Sequence, residues 1–204
     1  MPLMSKLPVR FGTGCRQSGA VLIFCLVFLM VLTMMSAASM ESSILEEKMA
    51  GNMLDYGKAF QAAEAALQAG EARLSAGIFR PDVSSDGSTG IWGKNAMDTD
   101  LFNSIPWWNE SARNKTDWWS ETGSVLVGFP GLAVPPAYII EEIISVSSHS
   151  NETGADDAHV FYRVTARGTG GQDSTIVQLQ SVFATNNSSI GMAPEGRQSW
   201  RQLD

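Results

Sequence analysis

An imidazole is the side chain best suited to moving protons near neutral pH, and this 204-residue chain has two, His149 and His159. They lie in a polar loop and at a strand edge, with no Gly-x-Ser-x-Gly elbow, phosphate-binding glycine loop or clustered ligand set around them. Asp98, Asp100 and Asn103 crowd "DTDLFN" with the oxygen ligands Ca²⁺ takes, but the rest of an EF-hand loop is missing. The two cysteines, Cys15 and Cys25, both precede the last 179 residues, which excludes thiol catalysis and an internal disulfide in that part. The expectation is a chain that is not an enzyme and binds no cofactor or metal.

Tryptophan is the more informative residue. Five of the six lie within the 28 positions from Trp92 to Trp119, in "IPWWNESARNKTDWWSE" and just before it. The pairs Trp107, Trp108 and Trp118, Trp119 suit an exposed aromatic platform, a candidate interface. Because Trp is usually well buried, a satellite core beneath a long loop is the favoured alternative.

What positions these residues depends on "RQSGAVLIFCLVFLMVLTMMSAASM", Arg16 to Met40. Gly19 to Ala38 is 20 residues with only Thr33 and Ser36 notably polar, roughly 30 Å of helix and about a bilayer core in thickness. Only Lys6, Arg10 and Arg16 among the basic residues precede Glu41, and all 21 acidic residues lie at or after it. The positive-inside rule then leaves the N-terminus cytoplasmic and exports the remainder. That remainder carries eleven basic against 21 acidic groups, a net charge of −10. A surface so negative repels phosphate, and nucleic acid is not an expected partner. Three readings of the run compete. It is a plain single-pass anchor, a secretory signal cut near "SAAS", or a more specialised anchor trimmed at its front edge. Its length disfavours the second, because a signal's apolar core usually spans about 7–15 residues.

Beyond the run the helix continues without Pro. Leu45, Met49, Met53, Tyr56, Phe60, Ala63, Leu67 and Leu74 recur mostly at spacings of three and four, the stripe of an amphipathic helix. One helix from about Ala20 to Leu74 is expected, hydrophobic all round at first and on one face later. Gly51, Asn52 and Gly57 weaken its middle, either as a kink or melted turn or as a place of close helix packing. After Gly77 and Pro81, "SSDGSTG" reads as a loop. Tyr138–Val146, Phe161–Arg167 and Thr175–Phe183 read as strands, the last two joined through "GTGGQD" as a hairpin. "SVLVGF", Ser124–Phe129, is a further candidate strand. The tail "TNNSSIGMAPEGRQSWRQLD" is polar, and poor order is expected there.

A basic leader ending at Ser18-Gly19, followed by an apolar helix that runs into an amphipathic half, resembles a prepilin-type signal. More narrowly, Arg16 to Leu74 is similar to the N-terminal region of PilX-type minor pilins of the type IV pilus machinery, with "LEEKMAGNM" and "AFQAAEAALQAGEA" carrying most of the likeness. "FYRVTARGTGGQDSTIVQLQSVFA" looks like that family's closing strand pair. The resemblance implies an α+β, pilin-like fold, a long N-terminal helix on a small antiparallel sheet. It divides the chain into a leader (1–19), an assembly helix (20–40), an amphipathic helix (41–76), a periplasmic β domain (77–185) and a polar tail (186–204). It implies cleavage between Gly19 and Ala20 by the prepilin peptidase, with Ala20 commonly N-methylated. It also implies inner-membrane residence, and assembly with major and minor pilins through the helix that carries Phe24, Phe28 and Leu32. Major pilins place a Glu five residues into the mature chain, whereas "AVLIF" here puts Phe24 there. A minor role at the fibre tip or in the priming complex follows as an expectation. A type II secretion pseudopilin and a membrane-anchored periplasmic sensing module are the alternatives.

Overall fold

The structure, a computed structural model, describes residues 19–76, 81–98, 105–113, 115–147, 158–188 and 191–203. Residues 1–18 of the leader, Asp100, Asn103 and His149 lie outside them. The chain divides into two compact units, Met1–Met49 and Ala50–Asp204.

In the first unit the described residues after Gly19 form helix, the start of α1, Ala20–Ser75. Every residue from Gly19 to Ala50 is exposed. Among the described residues α1 is the one helix long and apolar enough to cross a membrane. Gly51 and Gly57 do not interrupt it, and nothing lies within 4 Å of a Cβ built on either. A melted turn at these glycines is therefore absent, and the space around both is open.

The second unit is a five-stranded antiparallel sheet with the later part of α1 on one face. The strands are β1 (Ser124–Val125), β2 (Ala137–Ser147), β3 (Ala158–Thr169), β4 (Ile176–Ser188) and β5 (Gly191–Leu203), hydrogen-bonded in chain order. Alternation sets the faces, since successive side chains of a strand point to opposite sides. Tyr138, Ile140, Val160, Tyr162, Val164, Ala166, Val177, Leu179 and Phe183 meet Ala59, Ala63, Ala66, Leu67 and Leu74 of α1 in the main core. Leu67 and Leu74, almost wholly buried, each contribute roughly 2 kcal/mol. Small residues let the layers meet closely. A Cβ on Gly168 of β3 would strike backbone atoms of Ala59, Ala62 and Ala63, and one on Gly70 would lie 2.6 Å from Val164 Cγ1.

Two sequence expectations change here. The helix stripe was expected to start at Leu45, but Leu45, Met49, Met53 and Tyr56 are exposed and the buried stripe begins at Ala59. The periodicity marks an apolar helix face and not how much of it this chain covers. The tail was expected to be poorly ordered, but 191–203 is β5, paired along β4 from Gln178↔Leu203 to Ser188↔Gly191 with two register shifts. It lacks apolar alternation because it is an edge strand held by polar and aromatic contacts. "SVLVGF" supplies only the two residues of β1, which pair with Tyr138 and Ala137. Further along the same edge of β2, Trp92 donates its N–H to Ile140 O and accepts from Glu142 N–H.

Candidate assembly site

Gly19 stands directly before α1 with φ of 106°, a left-handed conformation that favours glycine. Nothing lies within 4 Å of its Cβ position, so this backbone is open to close approach. Ala20 is the first helical residue. Phe24, Phe28 and Leu32 follow at spacings of four, which places them on one helix face. They are 74, 65 and 44% exposed, and Leu22, Ile23, Leu26 and Leu29 on other faces are more than 60% exposed as well. A helix apolar on every side needs lipid or other helices around it.

Tethers hold the later part of α1 on the sheet. Gly171 N–H donates to Asp55 Oδ1 at 2.6 Å, which fastens the β3–β4 hairpin. Hydrogen bonds from the Thr175 side chain and the Gly171 N–H hold the Asp55 carboxyl below its ordinary pKa. Arg197 of β5 reaches Glu71 through two parallel hydrogen bonds, Nε to Oε1 at 2.8 Å and Nη2 to Oε2 at 2.9 Å. Ser181 donates to the same Glu71. Trp200 packs edge-on against Phe60 with ring centroids 6.2 Å apart, and Gln202 Nε2 donates to the Tyr56 hydroxyl. Sequence reading missed this clasp, because it joins a helix to a segment over a hundred positions away with no local signature.

The opposite sheet face carries the tryptophans. Trp107 and Trp108 form a short 3₁₀ turn (Trp107–Asn109), and Trp118 and Trp119 lie on α2, Thr116–Thr122. With Met97, Ala137 and Ile139 they make a second core. Trp107 is 1% exposed and Trp119 2%, so neither presents a face to a partner, while Trp118 is partly exposed. The ring centroids of Trp107 lie 5.6–6.0 Å from those of the other three. Its indole N–H donates to Glu141 Oε2 at 2.9 Å. Burial raises the Glu141 pKa, partly offset by Arg163 and by that hydrogen bond.

For metal binding, no group of three His, Cys, Asp or Glu side chains able to hold an ion occurs among the described residues. Asp98 follows Met97, whose carbonyl accepts from Arg113. His159 lies on β3.

Residues 18–68 match the family described as PilX N-terminal, and residues 84–185, half of the chain, match the family described as Type IV pilus assembly protein PilX C-term. The chain belongs to the PilX family. It is a minor pilin involved in type IV pilus assembly, its N-terminal apolar helix suggests membrane anchoring, and the family is structural and works with other pilus components. No curated protein and no solved structure matches it. In this PilX-family pilin the match to the C-terminal domain ends at 185, so β5 with Arg197, Trp200 and Gln202 lies beyond both matched regions, while its partners Tyr56 and Phe60 fall within the first.

Proposed function

We propose that this minor pilin acts where a fibre begins, at the tip or in the complex that primes assembly, through structural contacts and not catalysis. The prepilin peptidase removes 1–19 and leaves Ala20 as the mature, methylated N-terminus. The helix then waits in the inner membrane, N-terminus cytoplasmic and sheet domain periplasmic, until Phe24, Phe28, Leu32 and their neighbours pack against the helices of major and minor pilins. Phe24 is the observation that carries the placement. A carboxylate inside an apolar helix bundle is costly unless paired, and major pilins pair theirs with a neighbour's N-terminal ammonium. Phe24 offers no such partner to a subunit entering beside it, which suits a terminal position over repeated use along the shaft. Deleting the chain is expected to reduce surface pili and twitching, and an epitope-tagged copy is expected at low number near fibre ends. Abundant label spread along the shaft would overturn the tip placement.

A further inference from the structure

The part from Glu41 onward is strongly acidic, yet four of its eleven basic residues, Arg113, Arg163, Arg167 and Arg201, gather over the tryptophans of the outer sheet face. Two share one ring: the guanidinium carbons of Arg163 and Arg201 lie 5.0 and 5.7 Å from the centroid of Trp108. Beside them is a groove of about 300 Å³ lined by Trp108, Arg163, Gln180, Val182, Ser199 and Arg201 among others.

The hydrogen bonds leave donors unspent in this groove. Arg201 donates from Nε and Nη2 to a single atom, Gln180 Oε1, at 3.0 and 2.6 Å. Gln180 is fixed in turn by donating to Thr165 Oγ1 at 3.0 Å. Arg201 is thus positioned by a neutral group that cancels none of its charge. The Arg163 ion pair is Nη1 to Glu141 Oε2 at 3.7 Å, beyond hydrogen-bond length, and that oxygen already accepts from Trp107. Two neighbouring cations with free N–H groups repel each other unless an anion joins them. A planar carboxylate matches the guanidinium fork best.

We propose that this groove binds a carboxylate side chain from an acidic segment of a neighbouring pilus subunit, which rests on the assembly role proposed above. Its volume is at the low end of small-ligand sites, roughly 300–1,000 Å³, enough for one acidic side chain and not for an oligosaccharide. The acidity of the domain favours a tethered donor over a free acid. Net negative charge repels a free anion during approach, whereas a subunit already docked through its helix presents its carboxylate at high effective concentration.

The test is calorimetric titration of the full-length protein in detergent with a capped tetraglutamate peptide, its tetraglutamine twin and sodium glucuronate. The glutamate peptide is expected to bind at least tenfold more tightly than the other two, and added salt to weaken it. The double variant Arg163→Gln with Arg201→Gln is expected to lose at least tenfold, while Lys58→Gln, at an exposed position on α1, changes nothing. If the double variant melts early, Ser199→Glu, which adds a carboxylate at an exposed position in the groove, is expected to abolish binding instead. Equal binding of the glutamine twin, undiminished binding to a folded variant, or tighter binding of glucuronate would each overturn the proposal. Because no pilus is present in the titration, failure here is separate from the piliation result that judges the assembly role.

Discussion

The two parts of α1 use apolar residues in opposite ways. From Ala20 to Met49 the large side chains, such as Leu22, Phe24 and Phe28, are all exposed. From Ala59 to Leu74 the buried positions are mostly small, with Ala59, Ala62, Ala63, Ala66 and Gly70 joined by Leu67 and Leu74. Small residues let a helix backbone approach a sheet closely, and the sheet then supplies the bulk through Tyr138, Tyr162 and Phe183. Large residues without a partner in the chain require one outside it. One element is thus finished by its own domain at one end and left for the assembly to finish at the other.

This contrast can be broken most severely at Gly168. A Cβ there meets helix backbone, which has no rotamer to move, so Gly168→Val is expected to cost about 3 kcal/mol or more. Thermal melting should show a drop of roughly 10 °C. Phe24→Ala should leave that melting transition unchanged and act on piliation alone. Next, Ala63→Leu overfills the same contact and is expected to cost about 2 kcal/mol, while Ala37→Leu on the exposed part costs the domain nothing by the same measurement. A smaller effect is expected at the clasp: Arg197→Ala removes a two-pronged pair and should cost about 1 kcal/mol. Amide exchange in β5 should rise before that in β3.

The pH dependence separates two carboxylates and gives the smallest effects. Asp55 is held below its ordinary pKa, so its contribution is present above the unfolded value and is lost as pH falls through the folded one. Asp55→Asn should flatten that acid limb of the melting profile. Glu141 is raised, chiefly by burial, so the folded state holds its proton longer and stability falls as pH climbs from the unfolded value through the folded one. Glu141→Gln should remove that decline, and the Trp107 hydrogen bond can persist because the Gln side-chain oxygen still accepts.

Much of this was legible in sequence. The long helix and the β3–β4 hairpin with its glycine loop follow from periodicity and turn chemistry, both local, whereas the pilin-like class comes from the resemblance of Arg16 to Leu74 to PilX-type pilins. Of the buried alanines only Ala63 reads as part of the stripe in sequence; Ala59, Ala62 and Ala66 escaped notice because a small residue signals little by itself. Their meaning comes from Gly168, over a hundred positions away. β5 escaped for a related reason: Arg197, Trp200 and Gln202 look like a polar tail until Glu71, Phe60 and Tyr56 stand beside them. The tryptophans admitted two readings; the structure buries Trp107, Trp108 and Trp119 and leaves Trp118 partly exposed, a difference that composition alone does not give.

The most direct test of the account is mass spectrometry of the mature N-terminus, on protein taken from membranes and from sheared pili. A chain beginning at Ala20 is expected in both, with the apolar part of α1 retained to pack against its neighbours. An intact Met1, or a start at Ser39 that discards Ala20–Ala38, would contradict it.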